Sequence, residues 1–349
     1  MTTASTPDYR PSFPDGPLPG IGILGCGGIA RSAHLPAYAA HGLHVVGAWS
    51  RTPSAVPGVR RIYPTAQDLL DDPAVGIVDI ATPVAGRLDW IAAAVDAGKH
   101  VLAQKPLTDD LDALTPILAE ADRRGLRIAV NQNGRWAPAW RLATLLVQDG
   151  AIGGVVSVTH VHDKPLPPVA STPSEAPEHQ HLLLSDYLVH WFDIVRCWLA
   201  GKEVVEVAAR DGRLPGQPAE LTNPWWATAR VVCADGTHAL LHIPANGRTR
   251  SGSCPFWIHG TEGTIRGSVL LGSDFLELDR GDQRTRYALE GQWFVDGFAG
   301  TMGELMHAIA EDREPYNSAA HNIGSLALVG AAADSAAAGG SALTLRLML

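Results

Sequence analysis

Cysteine is scarce in this chain: Cys26, Cys197, Cys233 and Cys254 are the only four in 349 residues, and no two form a C-x-x-C pair. That spacing excludes a zinc ribbon or dithiol redox motif and fits a reducing cytoplasm. No run of 18 apolar residues occurs, so no membrane-spanning helix is expected. The N-terminus has neither an apolar signal core nor a twin arginine, so no export signal is expected. Long Lys/Arg runs are missing and the formal net charge is −9, which argues against a nucleic acid or an anionic membrane as partner. There is no internal repeat.

What is present is ordinary for a globular protein: 46% apolar and 18% charged residues, with length enough for two domains. Residues 1–19 carry five prolines and little apolar periodicity, which reads as a disordered tail, with an extended arm lying on a partner subunit as the alternative. From Gly20 onward short apolar runs alternate with helical periods. Strands are expected at 21–24, 43–49, 75–81, 101–103 and 126–130, and helices at 29–40, 84–97 and 111–124. That alternation predicts an α/β domain, a parallel sheet with crossover helices, over 20–138. Beyond it, over 139–349, a Pro-rich loop at 164–177 and a helix at 182–199 precede strand-like runs at 204–208, 227–232, 238–243, 256–259, 264–269 and 286–289. Helices around 300–311 and 318–338 close the chain, and the Ala-rich stretch 325–338 reads as a buried soluble helix. This predicts a C-terminal α+β domain with a mostly antiparallel open sheet.

Gly25-Cys26-Gly27-Gly28-Ile29-Ala30 follows a strand and opens a helix. Gly25 permits the tight turn, Gly27 lets backbone approach a pyrophosphate, and Ala30 allows close helix–strand packing, the pattern of a dinucleotide-binding turn. The next strand ends at Trp49-Ser50-Arg51-Thr52, where the acid that would bind the ribose hydroxyls of NAD is missing. Ser50 and Arg51 suit a 2′-phosphate instead, so NADP is favoured and NAD remains possible. Gln104-Lys105-Pro106 ends another apolar strand, putting Lys105 at the carboxyl edge of the sheet, where ligands of open α/β folds bind. Asp186, His190 and Asp193 fall at i, i+4 and i+7 of an otherwise apolar helix. A carboxylate one turn from a histidine can act as an acid/base unit, although a buried Asp–His hydrogen bond serves structure equally well. Arg135, Trp136 and the stretch 160–164, including His162 and Lys164, are expected to wall the substrate pocket. His160 and His162 share one face of a strand, but no third ligand is in view and no metal is expected.

Together these pieces resemble the Gfo/Idh/MocA family of sugar and polyol oxidoreductases, over Gly20 to the C-terminus. The match runs through Gly25–Ala30, Thr82-Pro83, Ala97-Gly98-Lys99-His100-Val101 into Gln104-Lys105-Pro106, Asn131 with Arg135, Asp186 with His190 and Asp193, and Asn317-Ser318. The resemblance implies catalysis by Lys105 and His190 with Asp186 assisting. It implies a cofactor shell of Gly25, Cys26, Gly27, Gly28, Ile29, Ser50, Arg51, Ala81, Thr82, Pro83, Gln104, Lys105, Asn131 and Arg135. The substrate, a sugar or cyclitol, would meet Lys105, Arg135, Trp136, His162, Lys164, Asp186, Tyr187 and His190. A homodimer or homotetramer built through the C-terminal sheet is implied as well. Three departures bear on the substrate: Gln104 replaces a usual Glu, Leu188 a common Gly, where it would narrow the pocket, and Arg87 a frequent His. Two other activities stay open on the same residues: cofactor-assisted elimination or glycoside cleavage through transient oxidation, and a non-catalytic cofactor sensor.

Overall fold

The computed structural model describes residues 6–51, 56–163, 165, 181–245, 253–270 and 274–349. The chain forms two compact units that interleave in sequence. The first is Arg10–Trp136 with Gly291–Ile323, and the second is Met1–Tyr9, Ala137–Glu290 and Gly324–Leu349. The sequence places an arm over 1–19 and the boundary between the two domains at 138/139. In the structure the chain instead returns to the first unit for 33 residues, because the helix at 298–310 is apolar on most of its surface and needs a core.

The first unit is built on strands β1 (Gly20–Leu24), β2 (Val45–Trp49), β3 (Val75–Ile80), β4 (His100–Ala103) and β5 (Ile128–Val130). They pair in parallel in the order β2-β1-β3-β4-β5. Order reverses between β1 and β3, and such a switch point opens a crevice at the carboxyl ends of the strands. Helices α1 (Leu35–Ala40), α2 (Ala66–Leu70), α3 (Arg87–Asp96) and α4 (Leu111–Arg123) make the crossovers. Thr65 and Asp68 cap α2 reciprocally, and Asp110 caps α4 through Ala113 N at 2.9 Å. One core cluster joins Ile21, Ile23, Tyr38, Ile77 and Leu102 to Phe298, Met302, Leu305 and Met306.

Over its described part, residues 6–19, the N-terminal segment is packed, which corrects the expectation of a disordered tail there. Phe13 and Leu18 pack against that same cluster, Phe13 lies 5.7 Å from the His41 ring, and Ser12 Oγ sits 3.2 Å from His307 Nε2. Within the second unit, the buried Tyr9 Oη accepts from Glu290 N at 2.7 Å. The prolines fix an extended path that needs few hydrogen bonds, and the aromatic side chains between them anchor it.

The second unit holds α5 (Pro138–Gln148), α6 (Val189–Trp198) and a nine-stranded sheet of β6 (Val155–Val161), β7 (Glu203–Gly212), β8 (Trp226–Cys233), β9 (His238–Ile243), β10 (Pro255–Gly260), β11 (Thr264–Ser268), β12 (Phe275–Arg280), β13 (Gln283–Tyr287) and β14 (Leu343–Met348). Its order is β13-β12-β11-β10-β6-β9-β8-β7-β14, antiparallel throughout except between β6 and β9. Helix α7 (Phe298–Ala310) belongs to the first unit, and α8 (Ala319–Ala337) runs from the first into the second. Elements α2, α5, β12 and β14 lay outside the sequence expectations, and the strand expected at 286–289 is β13, three residues earlier in its start. No helix among the described residues is long and apolar enough to cross a membrane.

Candidate active site

The glycine turn grows directly from β1. Gly25 has φ +98°, and a Cβ there would stand 2.9 Å from Ala81 O, so only glycine fits between β1 and the loop after β3. Its N–H donates to Trp49 O at 2.8 Å, and Ala81 N donates to Leu24 O at 2.8 Å, which ties the ends of β1, β2 and β3 together. A Cβ on Gly27 or Gly28 would meet nothing within 4 Å, so the space above the turn is open. A π-helical turn at Ala30–His34 leads into α1. Burial raises the Cys26 thiol above its usual value.

A cavity of about 780 Å³ lies over this turn. Eight expected cofactor residues line it together: Gly25, Cys26, Gly27, Ser50, Arg51, Ala81, Thr82 and Pro83. The Thr82 hydroxyl is buried with no hydrogen-bond partner among the described residues, as a group awaiting a ligand would be. Gly28 flanks the turn, exposed, while Ile29 packs toward the core cluster. Sequence reasoning missed Trp49, Ala85, Gly86, Asp89, Trp90 and Ala93 on the same walls. The available signal was helical spacing, since Asp89 and Trp90 lie four and three residues before Ala93 on α3.

Lys105 lies at the carboxyl end of β4, half-buried, and joins Pro106 through a cis peptide bond. Arg87, 2% exposed, holds the loops around it. Its guanidinium donates to Gln104 O at 2.7 Å, to Pro106 O, and to Thr82 O at 2.5 Å. One buried cation thus links a cavity-lining residue to both neighbours of Lys105.

Six expected cofactor residues do not line the cavity: Gly28, Ile29 and Lys105, placed above, and Gln104, Asn131 and Arg135. Asn131 is fully buried; it donates to Gln104 Oε1 at 2.8 Å and lies 2.9 Å from the Thr301 hydroxyl. Gln104 is thereby part of an interior amide pair. Arg135 is buried, donating to Tyr316 O at 2.5 Å and approaching His321 Nδ1 at 3.2 Å. Trp136, also buried, covers Gly300 in the first unit's interior. Under the turn runs a further buried set: His34 Nδ1 donates to Asp79 Oδ2 at 2.7 Å, and Tyr38 Oη donates to the same oxygen at 2.6 Å. Burial first, then the Asp79 charge, pushes the Tyr38 phenol well above its usual value.

In the second unit, Asp186 and Tyr187 sit on a π-helical turn, Leu183–Tyr187, and His190 lies at the start of α6. Asp186 and His190 are half-buried, whereas Asp193 is buried and accepts from Ser325 Oγ at 2.6 Å, backed by Arg196 at 2.9 Å from that hydroxyl. Asp193 is therefore built into the interior. Leu188 is 0% exposed, so it fills the core instead of narrowing a pocket. Tyr187 Oη lies 2.9 Å from His162 Nε2, and Cys254 Sγ 3.3 Å from His162 Nδ1. Burial above all holds the Tyr187 phenol protonated. Lys164 lies outside the described residues.

Two family models match this chain: an oxidoreductase family with an NAD-binding Rossmann fold over residues 20–132, and the Gfo/Idh/MocA C-terminal domain over 140–266. The chain belongs to the Gfo/Idh/MocA family. An uncharacterised member from Saccharomyces cerevisiae is 30% identical over 189 residues, 50% of this chain and 54% of that one, so the match spans about half of that relative. A levoglucosan dehydrogenase from Pseudarthrobacter phenanthrenivorans is 26% identical over 290 residues, covering 70% of this chain and 72% of that one. Among solved structures, an oxidoreductase from Agrobacterium radiobacter, in complex with NAD+, L-tartaric acid and magnesium, superposes with a TM-score of 0.78 at 21% identity, over 93% of this chain and 98% of that one. That likeness shows that the two proteins share a fold.

Proposed function

We propose that this protein is a nicotinamide-dependent oxidoreductase acting on a carbinol carbon, or the corresponding ketone, of a sugar, sugar derivative or cyclitol. The observation that carries the reading is the Arg87 clamp, which ties Lys105 to the wall of the cavity over the glycine turn. The residues fit a dinucleotide: the open turn and the unpartnered Thr82 hydroxyl suit the pyrophosphate and its neighbours. When bound, the nicotinamide accepts or returns the hydride.

In the oxidative direction His190 takes the hydroxyl proton, with Asp186 assisting, while the Lys105 ammonium stabilises the developing alkoxide. In reduction the proton travels back from His190 to the carbonyl oxygen. The names of relatives, levoglucosan dehydrogenase and inositol 2-dehydrogenase among them, support the substrate class. Arg51, for which the structure gives no ion-pair partner among the described residues, supports NADP; the exposed Asp89 on the same cavity favours NAD as the second reading. Exposed Val156 and Leu240, on the adjacent strands β6 and β9, support assembly through the second unit's sheet.

The test is a panel of aldoses, anhydrosugars and cyclitols with NAD and NADP, followed at 340 nm, with Lys105→Ala and His190→Ala beside the parent. Each variant is expected to lose about 10²-fold or more in kcat/KM with cofactor binding retained. Unchanged turnover in either variant rejects its assigned role. Leaving-group release without net cofactor reduction would indicate the elimination or cleavage chemistry instead, and tight cofactor binding with no turnover a sensor.

A further inference from the structure

Six of the ten tryptophans are buried, at 7% exposure or less. Trp49 and Trp90 are not, and both face the cavity over the glycine turn. Leaving two large apolar rings against solvent forgoes the gain of burying them, so a ligand that covers them is the natural occupant.

Their arrangement narrows what that ligand is. Trp49 ends β2, and Trp90 projects from α3. The ring centroids are 5.3 Å apart and the planes meet at 55°, so the indoles form a corner with a floor and an end wall. Gly86, in the left-handed conformation that caps α3, and Ala93, three residues after Trp90 on the helix, both line the cavity. Small residues at these two positions leave the Trp90 face uncovered. Neither indole N–H is hydrogen-bonded among the described residues, so both are available as donors. The corner therefore offers a flat aromatic face with N–H groups at its rim, in the same cavity as Gly25–Gly27. A purine is a flat ring with acceptor nitrogens at its edge, and stacking on an aromatic side chain tolerates any base.

Resting on the dinucleotide reading above, we infer that Trp90 stacks the adenine ring of the bound cofactor, with Trp49 closing the end of the slot. The recognised chemistry is an adenosine 5′-phosphate unit. This contact serves NAD and NADP alike, and is separate from any choice Arg51 makes between them.

The experiment is calorimetric titration of the full chain with 5′-AMP, nicotinamide mononucleotide, NAD and NADP, for the parent, Trp90→Ala and Trp90→Phe. Trp90→Ala is expected to weaken 5′-AMP about tenfold or more. NAD and NADP weaken by that same factor, while nicotinamide mononucleotide is unaffected and Trp90→Phe stays within a few fold of the parent. Should the alanine variant not fold, Trp90→Leu keeps apolar volume without an aromatic face and carries the same expectation. Parent-like 5′-AMP affinity in the alanine or leucine variant overturns the inference, as does equal loss of nicotinamide mononucleotide. Turnover is not read, so a failure here leaves the sugar-oxidoreductase reading intact, and a failure of that reading leaves this one standing.

Discussion

At the residue scale, Arg51 and Asp89 set the question of cofactor choice, because the cavity carries both a cation and a carboxylate. A guanidinium–phosphate contact contributes roughly 1.5–3 kcal/mol, or about 10- to 100-fold in affinity. If Arg51 meets a 2′-phosphate, Arg51→Ala weakens NADP by that factor and leaves NAD unchanged. Asp89→Asn then tightens NADP slightly by removing a like charge. The NAD reading expects the reverse: Asp89→Asn weakens NAD through a lost ribose contact, and Arg51→Ala changes little. Fluorescence titration of both cofactors against both variants decides. Sequence spacing exposed Arg51 because the fingerprint names the end of β2. It passed over Asp89, whose approach to the same cavity depends on where α3 packs.

At the element scale, a run was legible where its residues alone set its environment. Strands β1 to β5 are apolar segments between turn residues, and each was readable. The edge strand β14 alternates half-buried with exposed residues and pairs with β7, more than 130 residues upstream, so no hairpin signal marks it. The π-helical turns at Ala30–His34 and Leu183–Tyr187 leave no composition signature, and the second carries Asp186, which spacing alone puts at a regular i, i+4 step from His190. Strand β6 shows what alternation does deliver: His160 and His162 are both 1% exposed. His160 stacks on Trp198 at 5.3 Å and meets Trp140 at 5.2 Å and Phe256 at 5.4 Å, with neither ring nitrogen hydrogen-bonded among the described residues. Burial lowers its pKa from 6.5 to about 3. The folded state thus disfavours the imidazolium that the unfolded chain accepts below pH 6.5. Stability is at its plateau above that value and falls as pH drops, by about 1.4 kcal/mol per unit, until the folded group itself titrates. His160→Phe keeps an aromatic ring without the buried nitrogens. It is expected to raise stability at pH 7 by about 1 kcal/mol and to flatten the decline between pH 6.5 and 5 by roughly 2 kcal/mol. Urea unfolding at several pH values measures both, and a parallel decline in the two proteins would show that His160 is not its source.

At the scale of the whole molecule, the sequence yields two fold classes in the right order but not the return of 291–323 to the first unit, because periodicity says that a helix has an apolar face and not which core receives it. The consequence is testable. Phe298, Met302, Leu305 and Met306 are each 2% exposed or less, within the cluster built on β1, β3 and β4. Burying four such side chains contributes roughly 6–12 kcal/mol, comparable to the whole stability of an ordinary domain. Polar ties cross the same gap in sequence: Trp293 Nε1 donates to Asn133 Oδ1 at 2.5 Å, and Asn317 Nδ2 to Val130 O at 2.9 Å. A fragment of residues 20–138, complete by the sequence boundary, therefore lacks one wall of its core. It is expected to bind a hydrophobic dye, to show no cooperative urea transition, and to hold neither NAD nor NADP. Joining residues 10–136 to 291–323 through a flexible linker restores the cluster, and with it a cooperative transition and cofactor binding. If the shorter fragment unfolds cooperatively and binds cofactor as the joined one does, α7 is a passenger on this core and the sequence boundary is the physical one.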